Sequence, residues 1–135
     1  MREIKFRGKR INNGEWVYGY LIGNDVIVGD IVEFSDEYFN TEFWYKVDPK
    51  TVGQYTGLKD RNGQEIYEGD ILRDQESYDE IYYYKVIWHE ANACFYFKDC
   101  FGDYECFQGE DLYLNQIEVI GNIYENPELP EVPHE

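Results

Sequence analysis

Imidazole is nearly missing from this 135-residue chain, which has only His89 and His134. Histidine is the usual general base and metal ligand near neutral pH, so its scarcity removes most catalytic constellations. One nearby pair remains, Cys94 with His89, across a predicted hairpin at Glu90-Ala91-Asn92. No third residue is placed to orient that base, so no catalytic residue is assigned. Cysteine is also sparse: Cys94, Cys100 and Cys106 are the full set. An odd count does not make a disulfide framework. Five residues separate each neighbouring pair, whereas zinc ligands come roughly two to four residues apart and four to a site. No metal and no cofactor are expected. Cys94 and Cys106 read as small apolar residues on strands.

Long apolar runs are absent too. Nothing approaches the ~18–20 residues a membrane helix needs. MREIKFRGKR is charged and leads into no apolar stretch, so a signal peptide is not expected and the cytoplasm is the expected compartment. GNDVIVG has neither the phosphate-loop lysine nor the Gly-x-Gly spacing of a dinucleotide site. No sustained 3.6-residue apolar period and no heptad appears, which argues against a helical fold.

Positive charge is the last shortage. Lys and Arg number 12 against 28 Asp and Glu, a net charge of −16. Residues 1–64 hold 9 basic and 10 acidic side chains, while residues 65–135 hold 3 and 18. Such a surface repels phosphate backbones. Nucleic acid is disfavoured as a partner, and a protein with a basic surface is favoured. Head-to-tail asymmetry of charge also permits self-association.

Aromatics are plentiful instead: 14 Tyr, 8 Phe and 3 Trp. They suit the half-buried surface of strands. Ile4 and Phe6 alternate with Lys5 and Arg7, and Trp16, Tyr18 and Tyr20 share one face of EWVYGYLI. Asn12-Asn13-Gly14 between these runs predicts a hairpin over residues 3–22. Further strands are expected at Asp25–Val28, Asp30–Phe34, Glu42–Val47, Gln64–Tyr67, Ile71–Arg73, Glu80–His89, Ala93–Lys98, Asp103–Phe107 and Glu118–Tyr124. Asp48-Pro49 stops the third of these. Lys50–Tyr55 reads as a helical turn or an extended link, Leu58–Gly63 as a turn, and Asp111–Asn115 as a single helical turn. The fold class is therefore mainly β with little helix. Residues 1–63 form an N-terminal β-rich module packed on an SH3-like or OB-like five-stranded barrel over 64–125. Residues 126–135 form a flexible acidic tail. No linker composition separates the halves, so one compact unit is expected.

VDPKTVGQYTGLKDRNGQEIYEGDIL, residues 47–72, resembles the YopX family of phage and prophage proteins. The opening MREIKFRGKRINNGEWVYGYL and the closing EVIGNIYENPELPE resemble it as well. The resemblance implies phage or prophage origin, a cytoplasmic β-rich fold and no established activity. It carries no catalytic residues to transfer. Every residue of the central motif has a structural role open to it. Gly53, Gly57, Gly63 and Gly69 suit positive φ or close approach. Asp48 and Asp70 suit acceptance from backbone amides, and Tyr55, Ile66 and Tyr67 suit a core. Gln54, Tyr55, Thr56 and Asp60 are the candidates for a ligand surface there.

The leading functional expectation is a non-enzymatic accessory protein that binds a protein through its acidic lobe, with Tyr78, Tyr82 and Tyr84 as interface rings. Its sharper form is a DNA mimic. The alternatives are a nucleic-acid-binding module and an enzyme of unrecognised type. The nucleic-acid module would use Arg2, Lys5, Arg7, Lys9 and Arg10, interleaved with Phe6, unless that basic run is a charged edge strand.

Overall fold

A computed structural model describes residues 3–75, 80–100, 106–108 and 114–128. The chain is mainly β, and its helical content is confined to short 3-10 turns among the described residues. It divides into two compact units, Met1–Tyr55 and Thr56–Glu135. The division falls within a strand, where composition carries no signal.

The first unit begins with the expected hairpin. β1 (Phe6–Lys9) pairs antiparallel with β2 (Trp16–Ile22), setting Phe6 opposite Gly19 and Lys9 opposite Trp16. Its turn is closed by Gly14 N donating to the Arg10 carbonyl at 2.9 Å, with Gly14 at φ +71°. β3 (Val26–Val28) pairs with β2, and β6 (Trp44–Lys46) pairs with β3. β4 (Ile31–Phe34) and β5 (Phe39–Thr41) make a separate ribbon. β5 was not anticipated, because SDEYFNT does not alternate. Residues 49–55 resolve the open choice by using both forms in turn. Pro49–Thr51 is a 3-10 turn capped by Asp48, whose Oδ1 accepts from Lys50 N at 3.0 Å. Strand β7 (Gly53–Lys59) follows, and its Gly53 and Gln54 pair with β1.

The sheet curls because the end of β1 reaches the end of β6. Arg10 bridges Val47, Ile11 N donates to Lys46 O at 3.2 Å, and Asp48 N donates to Lys9 O at 2.8 Å. Ile27 and Val47 are fully buried. Gly8 is required at this closure, since a Cβ there would sit 2.9 Å from Val47 Cγ2.

In the second unit the rest of β7, from Thr56 on, neighbours β8 (Glu65–Tyr67). Five antiparallel strands follow in the order β12-β11-β10-β9-β13: β9 (Asp70–Gln75), β10 (Ile81–His89), β11 (Cys94–Asp99), β12 (Cys106–Gln108) and β13 (Ile117–Asn122). Alternation puts Leu72, Tyr84, Val86, Phe95, Phe97 and Ile117 into one core with Ile66. Gly69, at φ +94°, turns the chain from β8 into β9. The Asp70 carboxylate braces that bend by accepting from Tyr67 N at 2.7 Å. A 3-10 turn, Leu114–Gln116, precedes β13; residues 103–105 and 111–113 of the expected elements lie outside the described residues. After β13 the chain folds into a turn on Asn122, whose Oδ1 accepts from Tyr124 N at 3.0 Å and Glu125 N at 2.9 Å. Among the described residues no helix is long and apolar enough to cross a membrane.

Candidate binding surface

The central motif is occupied with holding itself together. Thr56 is buried; its hydroxyl donates to the Ile66 carbonyl at 2.8 Å and accepts from Leu58 N at 3.1 Å. Asp60 is buried as well. Its Oδ1 accepts from Asn62 N at 2.8 Å and Gln64 N at 2.9 Å, and its Oδ2 accepts from Val119 N at 3.0 Å. One carboxylate thus closes the β7–β8 turn and ties it to β13. Tyr55 is buried in the first unit, with its amide bonded to Lys5 O at 2.8 Å. Gln54 is half-buried opposite Phe6. These four residues share a strand and a turn, but only Gln54 keeps appreciable exposure.

The tyrosines of the acidic lobe also divide. Tyr84 belongs to the core and faces Leu72 across the ladder, while Tyr82 is exposed. Tyr78 lies outside the described residues. The strand register sets His89 opposite Cys94, as the predicted hairpin required. Among the described residues no three His, Cys, Asp or Glu side chains are grouped to hold a metal ion, and Cys94 and Cys100 are free thiols.

Three carboxylates, Asp60, Asp70 and Asp74, are buried. Asp60 and Asp70 are held by backbone amides. Asp74 lies on β9 between Tyr82 and Ile117 of the neighbouring strands. Burial pushes its carboxyl above the usual value, and its Oδ1 finds no hydrogen-bond partner among the described residues.

The basic N-terminal run is not an edge. β1 lies between β2 and β7 and pairs with both. Its cations lie over rings. The Arg7 guanidinium sits 4.6 Å from the Trp16 centroid, Lys9 Nζ 5.9 Å from the same ring, Arg10 3.8 Å from Tyr45 and Lys5 5.9 Å from Tyr55. These are cation–π distances. Lys5 also pairs with Glu3 at 3.0 Å.

The same register gathers residues that sequence reasoning left out of any site. On β2, Tyr18, Tyr20 and Ile22 point to the outer face, 47%, 50% and 45% exposed. Val28 lies opposite Tyr20, and Trp44 lies opposite Val28. Trp44 therefore joins this face, 64% exposed. The alternation of Trp16, Tyr18 and Tyr20 signalled the β2 part of this face. Trp44 carried no signal, since its neighbour across β3 is fixed only by tertiary pairing. Beside Tyr18 and Tyr20 a cavity of about 320 Å³ is lined in part by Glu3, Asp30 and Glu42.

A family model described as YopX protein matches residues 5–131. Among solved structures, protein EF1440 from Enterococcus faecalis is similar over 97% of this chain and 100% of its own, at 28% identity and a TM-score of 0.64. No curated protein matches the chain. With nearly its whole length matched and a mainly β fold in common with that neighbour, the chain belongs to the YopX family.

Proposed function

We propose that this is a non-enzymatic accessory protein of phage or prophage origin, acting in the host cytoplasm by docking a protein with a basic surface. The outer aromatic face of the first unit is the docking surface. The carrying observation is that Tyr18, Tyr20 and Ile22 on β2 and Trp44 on β6 stand exposed on one face of the sheet, to either side of β3. Large rings with one polar end are the usual anchors of protein interfaces, and contiguous exposed apolar groups mark contact sites. The partner's charge is argued from the chain's −16, which steers basic surfaces inward and repels nucleic acid. Carboxylates at Asp30 and Glu42 line the cavity beside the tyrosines and supply the local complement, while Glu3 there pairs with Lys5.

The DNA-mimic form of this reading draws less support, because Asp60, Asp70 and Asp74 are withdrawn from the surface. The nucleic-acid alternative draws less again, since four basic residues of the N-terminal run lie over the protein's own rings. The test is affinity capture from host lysate at about 0.15 M salt, comparing wild type with Tyr18→Ala/Tyr20→Ala. A basic protein retained by wild type and lost from the variant is the expected result. Identical retention by both, or no basic protein retained by wild type, rejects the face.

A further inference from the structure

A second surface flanks β6 and shares Trp44 with the aromatic face. Arg10, Ile11, Asn12, Trp44, Tyr45 and Lys46 line a groove of about 360 Å³. Its walls are apolar and aromatic, its two charges are both positive, and no carboxylate lines it. Ile11 and Trp44 are each 64% exposed. The Arg10 guanidinium lies 3.8 Å from the Tyr45 ring centroid, and its buried Nε has no hydrogen-bond partner among the described residues. Such a groove suits an extended, acidic, proline-bearing segment. Proline-rich chains enter such sites as polyproline II helices, which lose little entropy on docking.

The chain carries one. After the turn on Asn122, Asn126 N donates to Asn122 O at 2.9 Å, and Pro127 and Glu128 then stand exposed. From Pro127 the sequence runs PELPEVPHE. Prolines fall at 127, 130 and 133, glutamates at 128 and 131, and Leu129 and Val132 fill the third place. Polyproline II has about three residues per turn. In that conformation the segment would show one stripe of proline, one of carboxylate and one of aliphatic side chain. Each stripe has its complement in the groove: Trp44 and Tyr45 for proline, Arg10 and Lys46 for the glutamates, and Ile11 for the aliphatic edge.

We infer that the groove beside β6 binds residues 127–135 of a second copy of this chain, in polyproline II form, making the protein self-associate head to tail. The electrostatic part is local, because the groove is cationic within a chain of net −16. Trp44 belongs to both surfaces, but Tyr18 and Tyr20 take no part here and Arg10 and Lys46 take none in the aromatic docking face, so variants at those positions test the two contacts separately.

The test uses the full-length protein and a fluorescein-labelled peptide of residues 125–135. Anisotropy is expected to rise on titration with wild-type protein. A peptide of the same composition with the triplet order scrambled is expected to bind about tenfold more weakly. Arg10→Glu/Lys46→Glu is expected to lose the native peptide at least tenfold and to recover a peptide carrying Glu128→Lys and Glu131→Lys. That peptide is also expected to bind wild type poorly, a comparison that leaves the fold untouched. Sedimentation velocity of wild type over about a hundredfold range of concentration is expected to show mass-action association. Equal binding of the scrambled peptide, no binding of the native one, or a monomer at every concentration overturns the inference.

Discussion

Replacing Asp60 by alanine is the sharpest test of how the central motif works. The carboxylate accepts three backbone amides at 2.8, 2.9 and 3.0 Å, from Asn62, Gln64 and Val119. Asn62 and Gln64 are exposed, so their amides regain water when the acceptor goes. Each of those losses is worth about 0.5–1 kcal/mol. Val119 is only half-exposed and sits where the β13 register shifts. Its orphaned amide costs about 1–3 kcal/mol. The sum is about 3 kcal/mol, which for a unit of this size lowers Tm by roughly 12–24 °C. Asn at position 60 keeps an oxygen for the turn but presents an amide to Val119 N, donor against donor. It is expected to cost less, about 1–2 kcal/mol. Denaturation followed by fluorescence of Trp88, in the second unit, gives the stability. Hydrogen exchange at the Val119 amide localises the change. If Asp60→Ala stays within about 0.5 kcal/mol of wild type, with Val119 exchange unaltered, the carboxylate does not hold the turn to β13.

Asp74 predicts a pH dependence. Burial raises its carboxyl above the ordinary 3.8, so the folded state holds the proton more tightly than the unfolded chain. The stabilisation is fully present below the unfolded value and is lost as pH rises through the folded one. Asp74→Asn cannot ionise, so its Tm should exceed that of wild type by a few degrees at neutral pH, and the gap should close near pH 3; a gap independent of pH contradicts this. Gly8→Ala should cost about 1–3 kcal/mol through its clash with Val47. Val47→Ala in the same chain should recover part of that cost, and a double-mutant cycle showing simple additivity refutes the close approach.

Much of the architecture was legible because its causes are local. Asn13-Gly14 supplies positive φ, and alternating aromatics fix which side of β2 is outside. Asp48 and Asp70 accept amides two and three residues away, a reach that a turn motif encodes. The candidate sites were harder to read. Tyr82 and Tyr84 look alike in IYYY, yet one is exposed and the other buried. Their depth depends on what the neighbouring strands and β8 lay over them.

The sequence by itself determined the class of the molecule: strands, their turns, the scarcity of catalytic side chains and the excess of negative charge. Each follows from residue chemistry and spacing. Tertiary structure alone decided that Asp60 reaches Val119 across 59 residues of chain, that β1 is a central strand, and that Trp44 shares a face with Tyr20. Strand pairing between distant segments sets those outcomes, and a period of two residues says which side of a strand is apolar without saying which strand will lie beside it.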